Sequence, residues 1–85
     1  MNIITPGEKE DLCNSIERFS GVNPAEFGDD WINTRFSEMD VDSLAVMGVA
    51  SELLTARGAA EREVFPQDMP TPRALLDLVR NAPQQ

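Results

Sequence analysis

The 85-residue chain contains no histidine. Without an imidazole it cannot assemble the Ser–His or Cys–His pair on which ordinary hydrolytic catalysis depends, and no other paired-residue constellation takes its place. An enzyme is therefore not expected. Its single cysteine, Cys13, excludes an internal disulfide, and with no CxxC pair or Cys/His cluster a zinc site is excluded as well. That usage fits a reducing compartment. Basic residues are also few, seven against fifteen acids for a net charge of −8. They are spread evenly, so no phosphate-tracking patch forms and nucleic acid is not an expected partner. No segment approaches the roughly 20 consecutive apolar residues of a membrane span. The opening "MNIITPGEKE" has neither the basic region nor the apolar run of a signal peptide. A soluble, cytoplasmic, monomeric protein with no membrane association is the expectation.

What remains supports one small helical domain. Apolar residues make up 41% of the chain, enough for a single core. "TPGE" sets Thr5 as the cap of a first helix, Pro6 in its first turn and Glu8 at the reciprocal capping position. Leu12, Ile16 and Phe19 then recur at helical spacing, with Cys13 beside them, until Gly21 and Pro24 end the run. From Gly21 to Asp42 no period is sustained. Phe27, Trp31, Ile32 and Phe36 supply four large apolar anchors there, which predicts an ordered loop packed over the core. A second helix is predicted from Asp42 or Ser43 to about Arg57, with Gly58 as its stop. A short third helix is expected around Val64 and Phe65, broken at Pro66. "TPRALLDLVRNA" opens the last helix on Thr71 and Pro72, with Leu75, Leu76, Leu78 and Val79 as its buried face. No strand pattern or internal repeat appears. The fold class expected is all-α, a domain over residues 5–82 between tails 1–4 and 83–85.

Charge is concentrated in front of the second helix. Six acids (Glu26, Asp29, Asp30, Glu38, Asp40 and Asp42) fall between positions 26 and 42 against one base, Arg35. Such a patch steers basic partner surfaces towards it. On the helix itself, at 100° per residue, Val46, Val49, Ala50 and Leu53 form a core stripe, whereas Leu44 and Met47 fall on another side, beginning next to Ser43. Apolar groups that the core does not require, flanked by Glu38, Asp40 and Asp42, suggest a docking surface; the alternative packs them under the long loop. Ser43 has two roles open to it. It can be an ordinary hydroxyl at a helix start. It can also carry a phosphodiester, which the free backbone N–H groups and the positive dipole end would favour, with Asp42 helping to hold a metal or orient the hydroxyl. A calcium loop is a poor match to "DVDS", because Leu44 stands where a third oxygen ligand belongs and neither the glycine nor the glutamate of a calcium loop follows.

The run "FSEMDVDSLAVMGVASELLTARG" resembles the signature region of acyl carrier proteins, in which Asp-Ser-Leu opens the second helix. It is most similar to the free-standing carriers of bacterial aromatic (type II) polyketide synthases, and "TPRALLDLV" looks like the final helix of that group at a fitting distance from the serine. The resemblance covers residues 5–82. It implies an acyl-carrier-like bundle of three main helices and one short one, with the long ordered loop between the first two. It also implies that Ser43 is the attachment point of phosphopantetheine, a covalent group delivered from coenzyme A by a magnesium-dependent phosphopantetheinyl transferase. The base and metal would then belong to that enzyme, so the chain would need no histidine of its own. The expected partners are this transferase, a malonyl transferase, a ketosynthase with its chain-length factor, and other polyketide-modifying enzymes. Asp42 would assist at the attachment point, and Glu38, Asp40, Leu44, Met47 and Glu52 would meet partners.

Three positions depart from the family pattern. Asp40 stands where a glycine commonly sits, Gly48 where a recognition glutamate commonly sits, and "AAERE", residues 59–63, replaces an apolar-proline entry to the third helix. Gly48 also weakens a helix by roughly 1 kcal/mol relative to alanine. The acidic patch therefore moves towards the loop, leaving Glu52 the only acid within the second helix. Two other functions remain open: a fatty-acid-type carrier and, from a different class, an acidic helical interaction module with no prosthetic group.

Overall fold

The three longest helices all begin the same way, with a polar side chain just outside the helix taking up a backbone N–H that the first turn leaves free. In the computed structural model, which describes residues 4–59 and 64–82, these helices are α1 (Pro6–Ser20), α2 (Ser43–Ala56) and α3 (Pro72–Arg80). Four 3₁₀ turns accompany them, and every regular element described is helical. Thr5 accepts from the Glu8 N–H at 3.2 Å, and Glu8 returns the bond to the Thr5 N–H. Thr71 accepts from the Ala74 N–H at 3.1 Å. Gly21 ends α1 in the left-handed region (φ 78°), its N–H donating to the Glu17 carbonyl at 2.8 Å.

The segment between α1 and α2 is a chain of three 3₁₀ turns, Pro24–Phe27, Trp31–Asn33 and Phe36–Met39. It is held by apolar anchors below and polar ties at its edges. Trp31, Ile32, Phe36, Met39 and Val41 are buried. Asn33 Oδ1 accepts from Arg73 Nε at 2.7 Å, fastening the loop to α3. The Lys9 ammonium lies 5.7 Å from the centre of the Trp31 ring, a cation–π contact that fastens it to α1. A further bond, from the Phe36 N–H to the Pro70 carbonyl at 2.9 Å, joins it to the strap before α3.

Several expectations need correction. Phe19 and Phe27 are 45% and 46% exposed rather than buried. Phe19 lies at the end of α1, where its ring rests against Gly48 instead of turning inward. On α2 the buried set is Ala45, Val46, Val49, Ala50 and Leu54, while Leu53 is only half-buried. This helix is apolar almost all round, so its pattern does not select one stripe, and the neighbouring elements decide. Leu53 lines an open groove with Glu8, Arg57 and Leu76, whereas Leu54 sits under the turn in which the Ala59 N–H reaches its carbonyl at 3.0 Å. Leu78 of α3 is likewise half-buried. Val64 and Phe65 are not helical; the short turn starts at Pro66 (Pro66–Asp68), since a proline is suited to open a helical turn and not to continue one. Ile4, assigned to a tail, packs against the core. Of "AAERE", Ala59 is buried and the rest lies outside the described residues, as do the tail positions 1–3 and 83–85. Met39 and Met69, for which the sequence carries no periodic signal, are fully buried and close the core beneath the loop and the strap.

Candidate functional site at the start of α2

The loop enters α2 through a turn that the sequence makes costly. Asp40 adopts the left-handed conformation (φ 59°, ψ 30°), the only residue other than glycine with a positive φ among the described residues. Aspartate tolerates this region better than most side chains, yet a glycine would adopt it freely. Asp40 therefore keeps the backbone path a glycine would allow and adds a charge to it. Val41 follows, buried, its N–H donating to the Phe36 carbonyl at 3.0 Å, so the turn is anchored on the side facing the core.

Asp42 then caps the helix: its Oδ1 accepts from the Ala45 N–H at 2.8 Å. Ser43 is the first residue of α2, not its cap. It is exposed, and its hydroxyl makes no hydrogen bond with any described residue. Helix initiation does not need this oxygen. No described residue restrains it.

Around Ser43 the structure brings together most of the residues singled out from the sequence. Glu38 and Asp40 are exposed on the incoming loop. Leu44 is 79% exposed and Met47 39%, so neither is taken up by the loop. Glu52 stands apart. It lies nine residues beyond Ser43, about 13 Å along the axis at 1.5 Å per residue. Its carboxylate is paired with Arg18, which fastens α2 to α1. No group of three or more acidic or cysteine side chains able to hold a metal occurs among the described residues. Among these residues, no helix is long and apolar enough to cross a membrane.

Neither protein-family models, nor curated proteins, nor solved structures yield a match to this chain. The site has to be understood from its own geometry.

That geometry includes a cleft of about 270 Å³ opening beside Ser43. Phe36, Val46, Met69 and Pro70 contribute its apolar lining, and Arg35 and Ser43 also line it. The bond from Phe36 to Pro70 crosses from the loop to the strap and holds the two walls together. Periodicity could not have found this cleft, because its walls come from three separate elements. One signal for Arg35 was present all the same: it is the single base among the six acids between positions 26 and 42.

Proposed function

We propose that the protein is an acyl carrier: Ser43 takes a phosphopantetheine arm from coenzyme A, and the loaded protein presents acyl groups to a set of synthase enzymes. The observation that carries this proposal is the Ser43 oxygen, exposed and without a hydrogen bond to any described residue, at a helix start already capped by Asp42. When bound, the arm supplies a terminal thiol on which acyl groups ride as thioesters.

The chain's own residues do the rest. Ser43 offers its oxygen where a modifying enzyme can reach it and where the N-terminal N–H groups of α2 favour a phosphate. Asp42 fixes the first turn, so the hydroxyl is offered from a rigid platform. Glu38 and Asp40 add negative charge that raises encounter rates with basic partners, an effect that salt would weaken. Leu44 and Met47 supply exposed apolar surface beside the attachment point, and methionine accommodates partners of different shape. Tethering then raises the effective concentration of the cargo at each partner's active site. The type II polyketide pathway, with its ketosynthase and chain-length factor and its malonyl transferase, rests on the resemblance of "DVDSLAVMG" and "TPRALLDLV". A fatty-acid pathway is the nearest variant.

Incubation with coenzyme A, magnesium and a promiscuous phosphopantetheinyl transferase, followed by intact-mass measurement, tests this directly. A mass gain of one phosphopantetheine is expected for the native chain and none for Ser43→Ala. An unmodified native chain beside a fully modified reference carrier would sink the proposal. The exposed Leu44 and Met47 with their acidic surround would then be the surface of an interaction module with no prosthetic group.

A further inference from the structure

The basic residues of the fold sort into two kinds. Most of those described spend their charge on the fold. Arg18 pairs with Glu52, Arg80 with Glu8 at 3.3 Å, Arg73 bonds Asn33, and Lys9 lies over Trp31. Arg35 is different. Its guanidinium forms no ion pair and no hydrogen bond with any described residue, although Glu38, Asp40 and Asp42 follow it closely in the chain. Its backbone is held all the same. The Arg35 N–H approaches the Glu38 carboxylate at 3.4 Å, and the adjoining Phe36 is buried and bonded to Pro70. A long cationic side chain is thus rooted on a fixed turn at a cleft that Ser43 also lines.

We propose that Arg35 is the charge partner of the phosphodiester carried on Ser43, holding the root of the arm at the cleft so that the apolar wall of Phe36, Val46 and Met69 covers the segment next to it. The proposal rests on Ser43 being the attachment point. Its chemistry is plain: the fork of donors on a guanidinium matches phosphate oxygens. The surrounding acids would otherwise repel a second anion, and a single cation within their patch offsets that repulsion where the phosphate must sit. Arg35 is in this sense a positioning residue. It neither gives nor takes a proton and forms no bond with the cargo.

The test uses the loaded protein. After intact mass has shown one arm per chain, the ³¹P resonance of the phosphodiester and the amide resonances of Val46 and Met69 are recorded for native protein, Arg35→Gln and Arg35→Lys. The native ³¹P shift is expected to differ from that of a loaded peptide spanning residues 38–50. Arg35→Gln should bring it to the peptide value and erase the change in the Val46 and Met69 amides that loading causes. Arg35→Lys should restore part of both, because it keeps the charge and loses the fork. Raising salt on the native protein should move the ³¹P shift in the same direction as Arg35→Gln, a readout that holds even if a variant folds poorly. Loaded Arg35→Gln with native ³¹P and amide positions overturns the proposal while leaving the attachment at Ser43 intact. Such spectra with slowed turnover by a partner enzyme would also overturn it, assigning Arg35 to the partner surface. Failure to load the native chain overturns both.

Discussion

The starts of α2 and α3 are built alike and used differently. Each has an acceptor side chain outside the helix, Asp42 or Thr71, bonded to the N–H three residues on. At α3 the next residue is Pro72, buried, rigid and without a donor, so that end is wholly structural. At α2 the next residue is Ser43, exposed and with no hydrogen bond to a described residue. Both starts turn apolar residues inward, Ala45 and Val46 at α2 and Leu75 and Leu76 at α3, but α2 also turns a leucine, Leu44, outward. A capped helix start therefore says little about function until one knows which residue does the capping and what the next one is left free to do.

The comparison breaks most readily at its two leucines. Leu75→Ala is expected to cost about 2–5 kcal/mol, as for buried leucines generally, and Leu44→Ala less than about 0.5 kcal/mol, as for exposed positions. Chemical denaturation of both variants checks this, and a large loss for Leu44→Ala would place that residue in the core and remove the docking face. Next come the caps. Asp42→Ala and Thr71→Ala should each cost about 1 kcal/mol, whereas Ser43→Ala should leave the denaturation midpoint nearly unchanged. A cap-sized loss for Ser43→Ala would mean that its hydroxyl holds the helix after all.

The third helix start, at α1, adds a pH dependence. Glu8 bonds back to the Thr5 N–H and side chain and lies beside Arg80, and these contacts hold its carboxyl below the usual glutamate range. A lowered folded pKa means stability that is present above the ordinary value near 4.3 and lost as the pH falls through the folded value. Glu8→Gln should therefore be less stable than the native chain at pH 7, and the gap should close as the medium is acidified below about pH 4. Thermal melts across that range measure it, and a gap that does not vary with pH would remove the electrostatic part of the cap.

The smallest effect expected is at Gly48. A Cβ there would stand 2.6 Å from Phe19 Cδ1 and 2.7 Å from Cε1, so alanine must push the ring aside. Alanine also recovers roughly 1 kcal/mol of helix propensity. Because Phe19 is half exposed and its ring can swing outward, Gly48→Ala should be close to neutral in the native background. In a Phe19→Ala background it should stabilise by about 0.5–1 kcal/mol. A double-mutant cycle without coupling between the two positions would show that the ring does not rest on Gly48 in solution.

Much of the fold could be read from local pattern, and the limits of that reading follow from its physics. Capping boxes, proline at a first helical turn and glycine at a helix end act through a few neighbouring backbone atoms, so "TPGE", Gly21 and "TPRALL" announced their elements plainly. The side-chain direction of Leu44 follows from a 100° step and was legible too. Burial at Phe19, Phe27, Leu53, Leu54 and Leu78 was not, since it depends on what a distant segment places above each residue.

The sequence by itself determined an all-helical chain, the positions of its three helix starts, the acidic approach to α2 and the identity of the residue that opens it. Each of these is set by interactions within a turn or two of chain. Only the tertiary structure decided that Asp42 rather than Ser43 completes the helix, that Asp40 takes a glycine's backbone angle, and that Arg35 shares a cleft with Ser43, Met69 and Pro70. The cap and the turn are local choices that the pattern left open between neighbouring residues, whereas the cleft required segments far apart in sequence to meet, and proximity of that kind is fixed by the packing of the whole core.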